Sequence, residues 1–195
     1  STHDIEQLML AKEKYKNCFL TSPTFYDVKG RHDYNGGPSY EDSLKNEILE
    51  NSGDVCVNTV LTTAVLFKIS DIKDIGLFDE EFFLYFLDYD LCRRIKNINK
   101  SVIQVYKAKA IHTHGQLKIR NRLKKIFFRN YFFDYEELYY LYKDNLHEEK
   151  YKNVKKKIPK FIFKLIVNFL IVRFDKFIYY LSKTLAYYKF RKFIK

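Results

Sequence analysis

The chain has 195 residues, which suits one domain or one domain with an appendage. Hydrophobic residues make up 47% and charged residues 30%, a composition that allows a sizeable core and excludes wholesale disorder. Of the net charge of +11, residues 1–100 contribute −5, which leaves +16 for residues 101–195. The second half therefore calls for an anionic partner: a membrane surface, nucleic acid or a phosphorylated substrate.

The three cysteines, Cys18, Cys56 and Cys92, lie far apart and form no CxxC pair. This pattern argues against a disulfide framework or a zinc site and favours a reducing compartment. No secretory signal peptide is visible, because the first residues are polar and acidic. Since the chain begins with Ser rather than Met, we expect it to be a piece of a longer protein.

In the first hundred residues, hydrophobic spacing and turn residues predict alternating helices and strands. The predicted elements are a helix over 4–15, a strand over 17–23 that ends at Pro23, a loop over 29–43, a strand over 55–69 that is interrupted near 62–64, one helical turn over 70–76 with Ser70 as N-cap and Gly76 as C-terminal stop, and an amphipathic helix over 88–100.

Two short strands are predicted over residues 101–114, and the pattern is helical from residue 118 to the end. The order of elements predicts an α/β fold followed by a helical tail. Residues 161–172, FIFKLIVNFLIV, fall short of the roughly 20 apolar residues that span a bilayer. Their basic flanks leave two interpretations open: a helix lying among lipid headgroups, or a core-packed helix with solvated charges.

The segment over residues 76–94, GLFDEEFFLYFLDYDLCRR, places five carboxylates within twelve residues among many aromatic side chains. A partly buried carboxylate in apolar surroundings has a raised pKa, which suits a general base. Asp88 lies where the aromatic run gives way to the amphipathic helix, so it is the candidate base. The alternative is that Asp88 is only a helix N-cap and Asp90 a first-turn residue that complements the helix dipole.

This segment resembles the acceptor-side catalytic segment of family 2 glycosyltransferases, whose pattern is G-x-F-D-E-x-F-F followed by an acidic D-x-D-L stretch and a basic residue. Leu87 lies just before the D-x-D-L stretch, at a position where the family usually has Glu or Asp. The resemblance implies that Asp88 deprotonates the acceptor hydroxyl. It also implies acceptor contacts from Asp79, Glu80, Phe83, Tyr85, Asp90 and Arg94.

Two further stretches resemble the same family. Thr62, Thr63 and Ala64 lie where relatives often carry a Ser-Gly pair that lines the donor sugar, and Ala64 departs from that Gly. Residues 111–116, IHTHGQ, resemble an H-x-x-G element, which makes His112 a candidate metal ligand and His114 a second one, since residues two apart on a strand share a face. The alternative is that both are surface or packing histidines.

The resemblance implies the C-terminal half of a GT-A (Rossmann-like) domain over residues 1–117. A helical extension rich in aromatic residues would follow over 118–150, and a basic amphipathic tail over 151–195. The family's Asp-x-Asp motif, which holds most of the Mg²⁺ or Mn²⁺ contacts, is missing before Asp88. We therefore expect the nucleotide-binding half to lie outside this chain and the chain alone to be inactive.

The implied function is inverting transfer of a sugar from a nucleotide-sugar donor to a saccharide or lipid-linked saccharide in cell-surface polysaccharide synthesis. The basic tail would hold the protein at the anionic inner face of the cell membrane, on the cytoplasmic side. Nucleic acid is not an expected partner of the transferase. Two alternatives remain: a basic nucleic-acid- or membrane-binding module without catalysis, and a degenerate remnant of a transferase.

Overall fold

A computed structural model describes residues 1–34, 52–113 and 119–194. Among these residues helices outnumber strands and the small sheet is mixed, so the fold is α/β as predicted. The chain divides into two compact units. The first, here the sheet unit, contains Ser1–Asp79 and Leu87–Gly115, and the second, the helical unit, contains Glu80–Phe86 and Gln116–Lys195.

In its described residues the sheet unit contains three helices and five strands. The strand order is β2-β1-β5-β3, with β4 also paired to β1, and the β1–β5 pair is parallel while the others are antiparallel. The elements are α1 (Thr2–Lys14), β1 (Cys18–Tyr26), β2 (His32–Tyr34), β3 (Val55–Val57), β4 (Leu66–Phe67), α2 (Ile69–Asp74), α3 (Leu87–Asn97) and β5 (Ser101–Ile111).

Hydrophobic side chains cover both faces of this sheet. Val102 of β5 packs with Leu91 and Ile95 of α3 on one face, while the next residue, Ile103, packs with Leu8 of α1 on the other. Alternate residues of a strand point to opposite faces, so one strand contributes to both layers. The central strand β1 is accordingly buried throughout residues 19–25.

Several predicted boundaries in this unit are wrong, including the strand over 55–69, which is limited to β3 and β4. β1 continues through Pro23 because its register with β5 shifts between Pro23 and Thr24, and an irregularity in the ladder accommodates a residue without an N–H. Residues 101–111 form one strand rather than two. Helix α2 has Lys68 as its N-cap, so Ser70 lies inside the helix.

The predicted helix stop at Gly76 is confirmed. Its φ is +91°, in the left-handed region that favours glycine. The N–H of Gly76 donates to the carbonyl of Lys73 at 3.1 Å, and the N–H of Leu77 donates to the carbonyl of Ile72 at 2.9 Å. These two bonds form a Schellman motif, which satisfies carbonyls at the end of α2.

Over residues 80–86 and 119–194 the helical unit contains four helices and a short 3₁₀ turn. Asn121 caps the first helix by accepting a hydrogen bond from the N–H of Lys124 at 3.0 Å. The elements are α4 (Arg122–Lys143), α5 (Glu148–Lys152), α6 (Val154–Leu170), α7 (Phe174–Phe190) and the 3₁₀ turn Arg191–Phe193.

Aromatic rings and one buried ion pair hold the helical unit together. Along α4, the parallel rings of Tyr131, Tyr135 and Tyr139 follow one another at centroid separations of 6.4 and 6.5 Å. Between α4 and α7, the Lys183 ammonium lies 2.5 Å from the Asp134 carboxylate, and both side chains are largely buried. The high Tyr and Phe content of the chain therefore supplies core contacts in this unit.

Across residues 1–34, 52–113 and 119–194, no helix combines the length and the apolar character that crossing a bilayer requires. Most of the predicted loop over 29–43 lies outside the described residues, as does His114.

Candidate functional site

Asp88 accepts its hydrogen bonds from a distant segment of the sheet unit. The backbone N–H of Thr62 donates to its Oδ1 at 2.8 Å, and the Thr62 hydroxyl donates to the same oxygen. Helix α3 begins at Leu87, one residue before Asp88. The interpretation of Asp88 as a helix N-cap is therefore wrong, because its carboxylate accepts from a segment 26 positions away rather than from its own helix.

The surroundings of Asp88 favour its neutral form. Burial raises the pKa of Asp88 above its ordinary value, and this effect exceeds those of the two Thr62 hydrogen bonds and the charge of His112, which lower it. A half-buried carboxylate that is oriented by two donors on one oxygen, with the other oxygen left for a proton, has the chemistry of a general base or acid.

The three residues predicted to line the donor sugar, Thr62, Thr63 and Ala64, differ in their exposure and contacts. Thr62 contacts Asp88 as described, whereas the adjacent Thr63 is exposed. The carbonyl of Ala64 accepts a hydrogen bond from the buried Ser22 hydroxyl at 3.4 Å. The turn over 62–64 thus joins strand β1 to the candidate base.

His112 lies just beyond strand β5. Its backbone N–H donates to the carbonyl of Tyr26 at 2.8 Å, and its ring contacts the edge of Phe25 at a centroid distance of 6.0 Å. Within the part of the chain that the structure describes, no three His, Cys, Asp or Glu side chains cluster as they would around a metal ion. The described residues thus do not form a metal site by themselves.

Asp90 and Arg94 form a buried ion pair in α3. The Arg94 Nε lies 2.9 Å from the Asp90 Oδ2, and the Arg94 Nη1 donates to the carbonyl of Ile75 at 2.7 Å. The Asp90 side chain is 1% exposed. Among the described residues the buried Arg94 Nη2 finds no acceptor. The pair ties α3 to the end of α2.

Within residues 76–94, the stretch Glu80–Phe86 belongs to the helical unit. Glu80 is exposed and Phe83 is 70% exposed, with the Phe83 ring 4.7 Å from that of Phe132. Tyr85 is half-buried and its ring meets that of Phe133 edge-on at 5.4 Å. Asp79, the last residue before this stretch, is half-buried in the sheet unit.

Glu136 of α4 fixes the backbone of this stretch. Its carboxylate accepts hydrogen bonds from the N–H groups of Phe83, Leu84 and Tyr85, at distances between 2.7 and 3.2 Å. The side chain is fully buried, and burial raises the pKa of Glu136 although the three hydrogen bonds lower it. Sequence reasoning missed this residue, because the surrounding YEELYY pattern contains no sign that one of its two acids points inward.

A second contact ties the same stretch to the tail of the helical unit. The Tyr135 hydroxyl donates to a carboxylate oxygen of Glu81, and the Lys192 ammonium lies 3.2 Å from the other oxygen. The Tyr135 hydrogen bond, ahead of the charges of Lys192 and Lys189, lowers the pKa of Glu81 despite partial burial. Glu81 is thus held ionised within a basic group of side chains.

No family model, no curated protein and no solved structure matches this chain.

Proposed function

We propose that this chain carries the acceptor half of an inverting glycosyltransferase that resembles family 2, with a GT-A-like organisation. The observation that carries the proposal is the Asp88–Thr62 arrangement: a half-buried carboxylate with a raised pKa, oriented by an N–H and a hydroxyl on the same oxygen. Its place in the first turn of α3, after the segment GLFDEEFF, supports the same role.

In this mechanism Asp88 accepts the proton of an acceptor hydroxyl as that oxygen attacks the anomeric carbon of a nucleotide sugar. The new glycosidic bond forms as the bond to the diphosphate oxygen breaks, which inverts the configuration, and the nucleoside diphosphate leaves. Thr62 orients Asp88 through its two hydrogen bonds to Oδ1. The raised pKa makes Asp88 a stronger base than an ordinary aspartate.

No step is assigned to a metal ion through the residues of this chain, because the described residues provide no cluster of ligands for one. His112 stays a predicted ligand from the resemblance, and so does His114, which lies outside the described residues. The acceptor roles of Asp79, Glu80, Phe83, Tyr85, Asp90 and Arg94 likewise remain predictions.

The test is a sugar-transfer assay on a protein that joins these residues to a nucleotide-binding half. Asp88→Asn is expected to abolish turnover and to leave nucleotide-sugar binding intact, because the amide keeps the shape but cannot take the proton. Asp74→Asn, which changes an exposed aspartate of the same unit, is the matched control and should keep full activity. Turnover retained by Asp88→Asn would remove Asp88 from its role.

A second candidate function is a binding module without catalysis, favoured by the charge of the helical unit. Residues 154–195 contain twelve Lys and Arg residues and a single acid, Asp175. Nucleic acid and anionic lipid both fit this charge. Salt-dependent binding to RNA, together with absence of sugar transfer by the joined protein, would favour this candidate.

A further inference from the structure

The tip of the α6–α7 hairpin exposes a continuous apolar surface. Phe169 is 57% exposed, Leu170 71%, Ile171 53%, Val172 66% and Phe174 52%. Monomeric soluble proteins rarely expose apolar side chains together in this way unless another surface covers them.

The exposed face of α6 changes character along its length. In the second half the exposed side chains are apolar and lie on one helical face, at positions 162, 163, 166, 169 and 170. In the first half the exposed side chains include Lys155, Lys156 and Lys160. Ten residues of helix place Lys160 about 15 Å from Leu170 along the axis.

The net charge near the tip is positive. Arg173 and Lys176 are exposed beside the apolar residues. Asp175, the single acid after residue 153, pairs with Arg122 and so leaves the positive charge uncompensated. An apolar end with cations beside and behind it complements a bilayer whose acyl chains lie below a layer of anionic headgroups.

The tip holds an apolar, β-branched residue where the backbone conformation disfavours one. Val172 has φ +56°, in the left-handed region where a β-branched residue is strained by about 1–2 kcal/mol. Its N–H donates to the carbonyl of Phe169 at 3.0 Å, and the N–H of Arg173 donates to the carbonyl of Asn168 at 2.9 Å, which makes Val172 the C′ residue of a Schellman motif. Glycine is the usual residue at this position.

We propose that the hairpin tip, residues 169–174, inserts end-on into the interface of an anionic lipid bilayer, while the lysines of the first half of α6 contact the headgroup phosphates. This differs from a helix lying flat in the headgroup region, because the polarity of α6 changes along its axis. The proposal does not depend on the glycosyltransferase function.

The test uses the 195-residue chain and sedimentation with vesicles, either of phosphatidylcholine alone or with a quarter of phosphatidylglycerol. The chain is expected to bind the anionic vesicles. The double variant Leu170→Ser/Ile171→Ser should bind them about tenfold more weakly or worse, because two inserted apolar side chains are lost. Val28→Ser is the matched control, since Val28 is 72% exposed but belongs to the sheet unit, and its binding should not change.

Val172→Gly separates membrane docking from folding. Glycine relieves the left-handed strain, so the Tm should rise, while vesicle binding should fall because an apolar side chain is removed. Lys155→Gln/Lys160→Gln should weaken binding to anionic vesicles several-fold, and added salt should reduce that difference.

Three results would overturn the proposal. The first is vesicle binding that Leu170→Ser/Ile171→Ser does not change while its Tm matches the wild type. The second is a dimer in solution that these substitutions dissociate, in the absence of lipid binding. The third is tight RNA binding, weakened by salt, by a chain that does not sediment with vesicles.

Discussion

Two aspartates on one helix provide a direct test of which ionised carboxylate stabilises the fold and which does not. Asp88 and Asp90 lie two positions apart in the first turn of α3. Asp88 accepts from Thr62 and has a raised pKa, whereas Asp90 is buried against Arg94. We compare Asp88→Asn with Asp90→Asn, which are the same chemical change.

The two substitutions are expected to differ strongly in stability. Asn at position 88 keeps an oxygen for both Thr62 donors and removes a charge that burial disfavours, so at pH 7 the protein should lose no more than about 1 kcal/mol. Asn at position 90 leaves Arg94 as an uncompensated charge, which costs about 3–5 kcal/mol. In a chain of this length that loss corresponds to roughly 6–20 °C of Tm.

The pH dependence of the Asp88 effect has a definite sign. A carboxyl whose pKa is raised in the folded state contributes stability that is complete below its ordinary pKa of about 3.9 and is lost as the pH rises through the folded-state value. The Tm of Asp88→Asn relative to the wild type should therefore increase as the pH rises from below 4 through that value.

The assay is thermal unfolding followed by circular dichroism over a range of pH, with both variants and the wild type. If Asp88→Asn destabilises the protein by more than about 2 kcal/mol at pH 7, the ionised carboxylate is a structural group and the general-base role loses its physical support. A relative Tm that falls as the pH rises would contradict the reasoning in the same way.

Other substitutions test the remaining contacts. Glu136→Ala should lower the free energy of unfolding, measured with denaturant, by about 2–4 kcal/mol, because three N–H groups lose their acceptor. The control Glu137→Ala loses a partly exposed ion pair with Lys150 and should lower it by less than about 1 kcal/mol. Equal costs would contradict this assignment. Lys183→Met should lower the free energy of unfolding by about 3–5 kcal/mol, and adding Asp134→Leu should recover most of that loss. A double variant that recovers nothing would show that the pair contributes net stability. Thr62→Val should raise the pKa of Asp88, measured by NMR titration, because a donor to the carboxylate is removed; an unchanged pKa would refute this.

Local patterns predicted much of the secondary structure. The period of the apolar residues predicted α1, α3 and the helices of the second half, and the chemistry of Gly76 predicted where α2 ends. These features depend on neighbours within one or two turns. Pro23 is the counter-example, since its tolerance within β1 depends on a register shift against β5 that no local pattern contains.

The predicted site shows the same division between local and distant information. The sequence singled out Asp88 by its aromatic and acidic surroundings, but its spacing was equally consistent with a helix N-cap. The contact with Thr62, 26 positions earlier, argues against the N-cap, and the catalytic role of Asp88 stays a prediction. Glu136 was not predicted, because the three N–H groups that it accepts from lie more than 50 positions earlier.

The sequence by itself determined the types of element, the concentration of carboxylates in residues 79–90 and the strongly basic character of residues 154–195. The tertiary structure decided which carboxylates are buried and which partners they have. It also decided that the apolar residues of α6 are exposed toward the hairpin tip rather than packed in a core. The physical reason is that composition and periodicity act along the chain, whereas burial and hydrogen bonding are set by segments that meet only in the folded protein.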